Sequence, residues 1–206
     1  DKLVTGVQTC ALPIYTTTKN FGLIRSLFEV GYRNGLVPGN PFNNIKFPKP
    51  ARQDKPRVSF SEHDLRLIFG SPVFTERVRP IGGAGDAAAW IPLLALMTGM
   101  RLEEIGQLRK SDFRETDGFW FIDLDYLPEQ GRRLKNDSSR RQIPLHQSLI
   151  HLGLLGVVER STDRLFPLLS SAGSRQLTAS WSQWFGRYLR GEVGLTDTRK
   201  TFHSFR

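Results

Sequence analysis

The chain has a single cysteine in 206 residues, Cys10, so no internal disulfide can close and oxidative cross-linking has no part in the fold. Long apolar runs are also lacking. Ala87 to Met100 passes without a charge, but Pro92 and Gly99 interrupt it, and a membrane-spanning helix needs about 20 predominantly apolar residues. Acidic residues are scarce relative to basic ones: 20 Asp+Glu stand against 29 Lys+Arg, a net charge of +9 and a pI of about 10.1. That imbalance favours a polyanionic partner, nucleic acid before an anionic membrane. Apolar residues are not scarce. At 39% before glycine is counted, they exclude disorder and suffice for one ordinary domain or two small ones.

The two ends read differently from the middle. Val4 to Ile14 has neither helical nor strand periodicity. Its apolar run is too short, and too broken by Gln8 and Thr9, for a secretory signal. It resembles the translation of a common sequencing-library adapter, so residues 1–14 are read as non-native and without function. At the other end the chain stops within His203-Ser204-Phe205-Arg206. The expectation is a fragment cut at both ends.

Charge is unevenly spread. Residues 15–60 hold eight basic and two acidic groups, residues 61–174 fourteen and fifteen, and residues 175–206 six and two. Two basic flanks around a balanced middle suit a protein that grips a duplex from two sides.

Thr16 to Val37 has the spacing of a helix, with Phe21, Ile24, Leu27, Phe28 and Tyr32 on one stripe and Gly35 as its stop. Residues 15–46 are therefore one helical region. Residues 47–57, proline-rich and basic, form an extended linker. A new domain over 58–206 opens at Ser61, an N-cap whose partner in an approximate capping box is Asp64. The glycines at 82, 83 and 85 are too loosely spaced for a phosphate-binding fingerprint. Further helices are expected over Ala87–Met97, Arg101–Leu108, Gln147–Leu155 and Thr178–Arg190, with a last one opening at Thr198. Phe119–Ile122 and Arg141–Leu145 read as the strands of a loose hairpin. The class is mainly α with a small antiparallel β-sheet (α+β). Trp181, Trp184 and Phe185 recur at helical spacing and read as core, and His63 and His146, near helix starts, as structural.

Four groups stand out for chemistry. Arg101 follows a helix break, and Glu104, three residues on, shares its helical face and can hold its guanidinium. Lys135 lies in the polar segment between the two strands, with Arg132 and Arg133 as close rivals for the same role. His203 and Arg206 are spaced i, i+3 and point the same way on a helix. Two arginines, a lysine and a histidine suit one task, neutralising a phosphodiester as charge builds on its oxygens. The guanidinium fork binds two non-bridging oxygens at once, and a lysine can protonate a departing alkoxide.

Those residues carry a resemblance. Thr98-Gly99-Met100-Arg101-Leu102-Glu103-Glu104-Ile105-Gly106-Gln107-Leu108 resembles the first-arginine motif of tyrosine recombinases, the phage-type integrases. Leu134-Lys135-Asn136-Asp137, followed by Arg140-Arg141-Gln142-Ile143-Pro144-Leu145, is similar to their hairpin lysine and returning strand. Thr201-Phe202-His203-Ser204-Phe205-Arg206 resembles their His-x-x-Arg motif, and all three occur in the family's order. The resemblance implies a recombinase-like catalytic domain over 58–206, truncated at its C-terminus and preceded by the remnant of a helical core-binding domain. It implies site-specific DNA strand cleavage and rejoining through a phosphotyrosine. In that scheme Arg101 and Arg206 bind the scissile phosphate, Lys135 is the general acid, His203 assists proton transfer and Glu104 supports Arg101. Arg140, Arg141, Lys49 and Lys55 are possible DNA backbone contacts. No metal and no cofactor is implied. The partners are double-stranded DNA and, at full length, three further copies in a tetramer. No membrane is involved, and the setting is the cytoplasm of a prokaryotic or phage-infected cell. The family's nucleophilic tyrosine lies beyond its His-x-x-Arg motif, whereas Tyr15, Tyr32, Tyr126 and Tyr188 all precede it. The chain itself is therefore expected to be inactive, and a non-catalytic DNA-binding module is the alternative reading.

Overall fold

Residues up to 54 and residues from 55 onward form two separate units. The computed structural model describes residues 14–46, 58–124, 140–171, 173 and 176–206. Lys49, Lys55 and Lys135 lie outside the described residues, as do Tyr126 and the linker over 47–57.

The first unit is built on α1 (Ile14–Arg33). The chain reverses through Gly35, whose φ of 69° is left-handed and open to glycine without strain. Phe42 then returns edge-on to Phe21 and Phe28, with ring centroids 5.3 and 4.8 Å away. Arg25 fastens that return by donating to the Asn43 carbonyl at 2.8 Å.

The second unit holds α2 (Glu62–Phe69), α3 (Pro72–Thr75), α4 (Ala87–Thr98), α5 (Leu102–Gly106), α6 (Gln147–His151), α7 (Leu154–Arg160) and α8 (Ala179–Gly191). Its sheet is three antiparallel strands in the order β1 (Phe113–Thr116), β2 (Phe119–Leu124), β3 (Arg141–Pro144). Short 3-10 turns cover Ile81–Gly83, Lys110–Asp112 and Phe202–Phe205. The unit is thus mainly α with a small antiparallel sheet.

α4 is the central element. Ala87, Ile91, Leu94 and Ala95 are completely buried, so this helix is apolar nearly all round, as an interior helix must be. Met97, in its last turn, is exposed, and Met100 just beyond the helix is completely buried. α8 lays its aromatic side on the same core: Trp181 and Phe185 stack with centroids 5.1 Å apart, and the Trp181 indole donates to the Gly83 carbonyl at 3.1 Å. The side chain of Tyr188 is also buried, its hydroxyl bonded to that of Ser71.

Several boundaries differ from the expectation. A helix over Gln147–Leu155 is in fact two, because Gly153 takes a left-handed φ of 94° and ends the first. The helix from Arg101 runs only from Leu102 to Gly106, with Arg101 as its N-cap. No α-helix opens at Thr198; a single 3-10 turn over Phe202–Phe205 stands there. The strand Phe113–Thr116 was not expected from Phe-Arg-Glu-Thr, whose charge disguises an edge strand. Its evidence lay in Asp117-Gly118: both residues have positive φ, 52° and 79°, the conformation of a two-residue type I′ hairpin.

One local device recurs four times among the described residues. A side chain at the third helical position accepts the N–H of the N-cap residue: Asp64 from Ser61, Glu104 from Arg101, Asp112 from Arg109 and Ser204 from Thr201. Each satisfies a donor that a helix start otherwise leaves orphaned. Two of these acceptors, Asp64 and Glu104, are buried carboxylates that also bind cations from elsewhere in the chain.

Candidate functional site

The first-arginine segment is set by a sequence of local choices. Gly99 ends α4 in the left-handed region, with φ 64°. Met100 turns into the core, and Arg101 is left extended at the head of α5. An arginine side chain has no acceptor, so it cannot cap its own helix, and the cap is completed from the other side by Glu104. Glu104 Oε2 accepts the Arg101 N–H at 2.8 Å, and Oε1 accepts Arg101 Nη1 at 2.8 Å. The Arg101 side chain remains 38% exposed while that of Glu104 is 5% exposed. A buried carboxylate therefore holds an arginine whose side chain is still partly exposed.

A second guanidinium reaches the same carboxylate. Arg141 Nη2 donates to Glu104 Oε2 at 3.0 Å from the start of β3. Burial alone would raise the Glu104 carboxyl. The hydrogen bonds from Arg141, from the Arg101 N–H and from the Arg101 guanidinium outweigh it and hold the group below the usual carboxylate range. The neighbouring Arg140 is exposed and just precedes the strand.

His203 and Arg206 are exposed, whereas Phe202, Ser204 and Phe205 between and beside them are buried. In a 3-10 turn, residues i and i+3 eclipse, so Phe202 and Phe205 share the inner side and His203 and Arg206 the outer. The inner side is well anchored. Phe205 lies 4.8 Å from Phe60 and 6.0 Å from Phe185, and Phe202 lies 5.6 Å from Trp181. The Phe60 N–H donates to the Ser204 carbonyl at 3.0 Å. The turn packs on both α4 and α8.

Three residues around this arrangement escape sequence reasoning in the roles they take. Lys200 binds Asp64. Glu103 accepts from the Leu177 N–H (2.8 Å), the Thr178 N–H (3.2 Å) and the Thr178 hydroxyl (2.6 Å), so it secures the start of α8. Arg141, expected as a possible DNA backbone contact, meets Glu104. No local pattern announces these contacts, because the partners are 37 to 136 positions apart. His146, expected to be structural, accepts the Ser148 N–H on Nδ1 at the head of α6.

Tyr188 is the described tyrosine of this unit. Burial pushes its hydroxyl up, its hydrogen bond with Ser71 opposes that, and Glu192 adds to the rise. It stays protonated and committed to the core. Among the described residues, no helix is long and apolar enough to cross a membrane. Comparison with family models, with curated proteins and with solved structures returns no match.

Proposed function

We propose that this chain carries the phosphodiester-binding centre of a site-specific DNA recombinase of the tyrosine type, which cleaves and rejoins DNA strands. One observation carries the reading: the buried carboxylate of Glu104 grips Arg101 by both backbone and side chain while the Arg101 side chain stays partly exposed. A guanidinium fixed in this way is pre-organised for an anion and loses little side-chain freedom on binding one. His203 and Arg206, exposed together on the terminal turn, and the surplus of positive charge agree with it.

In this mechanism Arg101 and Arg206 bind the non-bridging oxygens of the scissile phosphate. An oxygen nucleophile attacks phosphorus, and the bond to the 5′ oxygen breaks. Lys135 gives its proton to that leaving oxygen, and His203 receives the proton of the attacking hydroxyl. The arginines stabilise the charge that gathers on phosphorus-bound oxygens between those events. Tyr188 is not the nucleophile, since its hydroxyl is buried against Ser71.

The test supplies the nucleophile from solution. The chain is mixed with a pool of randomised duplexes and hydrogen peroxide, and strand nicks are counted. The expected result is nicking by the unaltered chain, reduced ~100- to 1000-fold in R101A and in R206A, the scale on which one transition-state donor acts. Duplex binding that depends on Arg101 without any nicking would favour the non-catalytic DNA-binding module. Absence of both would end the nucleic-acid reading.

A further inference from the structure

Arg141 stands out as a basic side chain whose placement a simple phosphate contact does not explain. Its guanidinium donates to Glu104 Oε2 at 3.0 Å, its side chain is only 33% exposed, and the carboxylate that it meets is 5% exposed. We infer that Arg141 is a positioning residue, which acts on a bound phosphate through Glu104 and Arg101 rather than by touching it. This rests on the reading of Arg101 as a phosphate ligand.

Two physical reasons converge. The first is charge. Arg101 and Glu104 by themselves form a pair with no net charge, so the carboxylate that orients the guanidinium also offsets part of its attraction for an anion. Arg141 places the carboxylate between two guanidiniums, and these three side chains sum to +1. It shares the demand of the buried carboxylate, so that Arg101 is not wholly neutralised by its own support. The second is geometry. Glu104 Oε2 receives both the Arg101 N–H and Arg141 Nη2, so the head of α5 and the first residue of β3 are tied to one oxygen. β3 begins at Arg141, opposite Leu124 at the end of β2, and the sequence between those two residues contains Lys135. The contact therefore registers the returning strand of the lysine-bearing segment against the helix that presents Arg101. Without Arg141, the Glu104 carboxylate loses one of its three donors and the head of α5 loses this tie to β3.

The experiment is a double-mutant cycle on duplex affinity, measured across a salt series with the full chain and a randomised duplex pool. The variants are R141Q, R101A and R101A/R141Q, with R141K as the conservative replacement. A positioning role predicts that R141Q weakens binding ~3- to 30-fold when Arg101 is present, and changes neither affinity nor salt slope when Arg101 is absent, as expected of residues acting as one unit. R141K, which keeps a charge but not the planar fork, recovers part of the loss. A direct phosphate contact predicts a different pattern, in which R141Q lowers the salt slope by about one in both backgrounds. That pattern overturns the inference, and so does R141Q binding like the unaltered chain. Urea unfolding of each variant separates loss of function from loss of fold, and R141K serves if R141Q does not fold. The readout does not depend on strand cleavage. A chain that binds but never nicks defeats the recombinase reading while leaving this cycle to decide the role of Arg141, and a chain that does not bind defeats both.

Discussion

Lys200 donates a hydrogen bond to Asp64 across 136 positions of sequence, tying the first turn of α2 to the segment that leads into His203 and Arg206. Asp64 is buried, and it also accepts from the Ser61 N–H and hydroxyl, each at 2.8 Å. Together with the Phe60 N–H on the Ser204 carbonyl and the Phe60–Phe205 ring contact, this pair holds the terminal turn from one side. His203 and Arg206 are exposed on the turn held in this way.

Removing the cation leaves Asp64 buried with only its Ser61 donors. K200M is expected to lower the unfolding free energy by ~1–3 kcal/mol, the cost of an under-satisfied buried group. D64N/K200M is expected to cost less than the two single changes added together, because each removes the same contact. Urea unfolding of the four chains measures this, and strict additivity would show that the pair is not coupled.

The acid limb of stability should carry the mark of Glu104. Its carboxyl sits below the usual range in the folded chain, and the unfolded value is about 4.3. A carboxyl depressed by folding adds stability that is present above that unfolded value. The stability is lost as pH falls from there through the lower folded value. Asp64 behaves in the same sense: burial raises its carboxyl, and the bonds from Lys200 and Ser61 more than reverse it. Urea midpoints taken from pH 6 down to pH 3 should fall less steeply in E104Q than in the unaltered chain. An identical acid slope in the two would contradict the donor set described for Glu104.

Gly106 is where α5 meets the start of α8 most tightly. A Cβ built there would lie 2.2 Å from Thr178 Cγ2. That methyl cannot swing away freely, because the hydroxyl on the same carbon is bonded to Glu103 at 2.6 Å. G106A is expected to destabilise by ~1–3 kcal/mol through overpacking. G106A/T178S, which deletes the obstructing methyl and keeps the hydroxyl, should recover most of it. Thermal or urea unfolding reads both, and a G106A chain as stable as the parent would mean that the close approach is not there.

Much of the local structure is written in short patterns. Ser61 with Asp64 predicts a capping box, and the box is present. Gly99 predicts the break before Arg101, and it takes the left-handed conformation that such a break needs. The aromatic spacing over Trp181–Tyr188 predicts a buried face, and Trp181, Phe185 and Tyr188 are buried. These succeed because capping, glycine conformation and helical periodicity act over three or four residues. The shortfalls are of the same kind in reverse. Asp117-Gly118 announces a hairpin that the charged strand before it conceals. The final segment has the i, i+3 pattern of a helix, but tertiary contacts of Phe202 and Phe205 fix it as one 3-10 turn.

By itself, then, the sequence determines a basic, mainly helical chain, the Ser61 cap and the Gly99 break among its helix ends, and the closeness of Arg101 to Glu104 three residues on. Whether a second guanidinium shares that carboxylate was settled only by the fold, as were Lys200's answer to Asp64 and Glu103's hold on the head of α8. The reason is physical. A capping bond joins neighbours whose separation is fixed by backbone geometry, whereas the Arg141–Glu104 contact exists only after β3 has found β2 and the sheet has docked beside α5. Burying a carboxylate is costly without partners, so Glu104 required more donors than its own turn could supply, but nothing in the residue order named which strand would bring them.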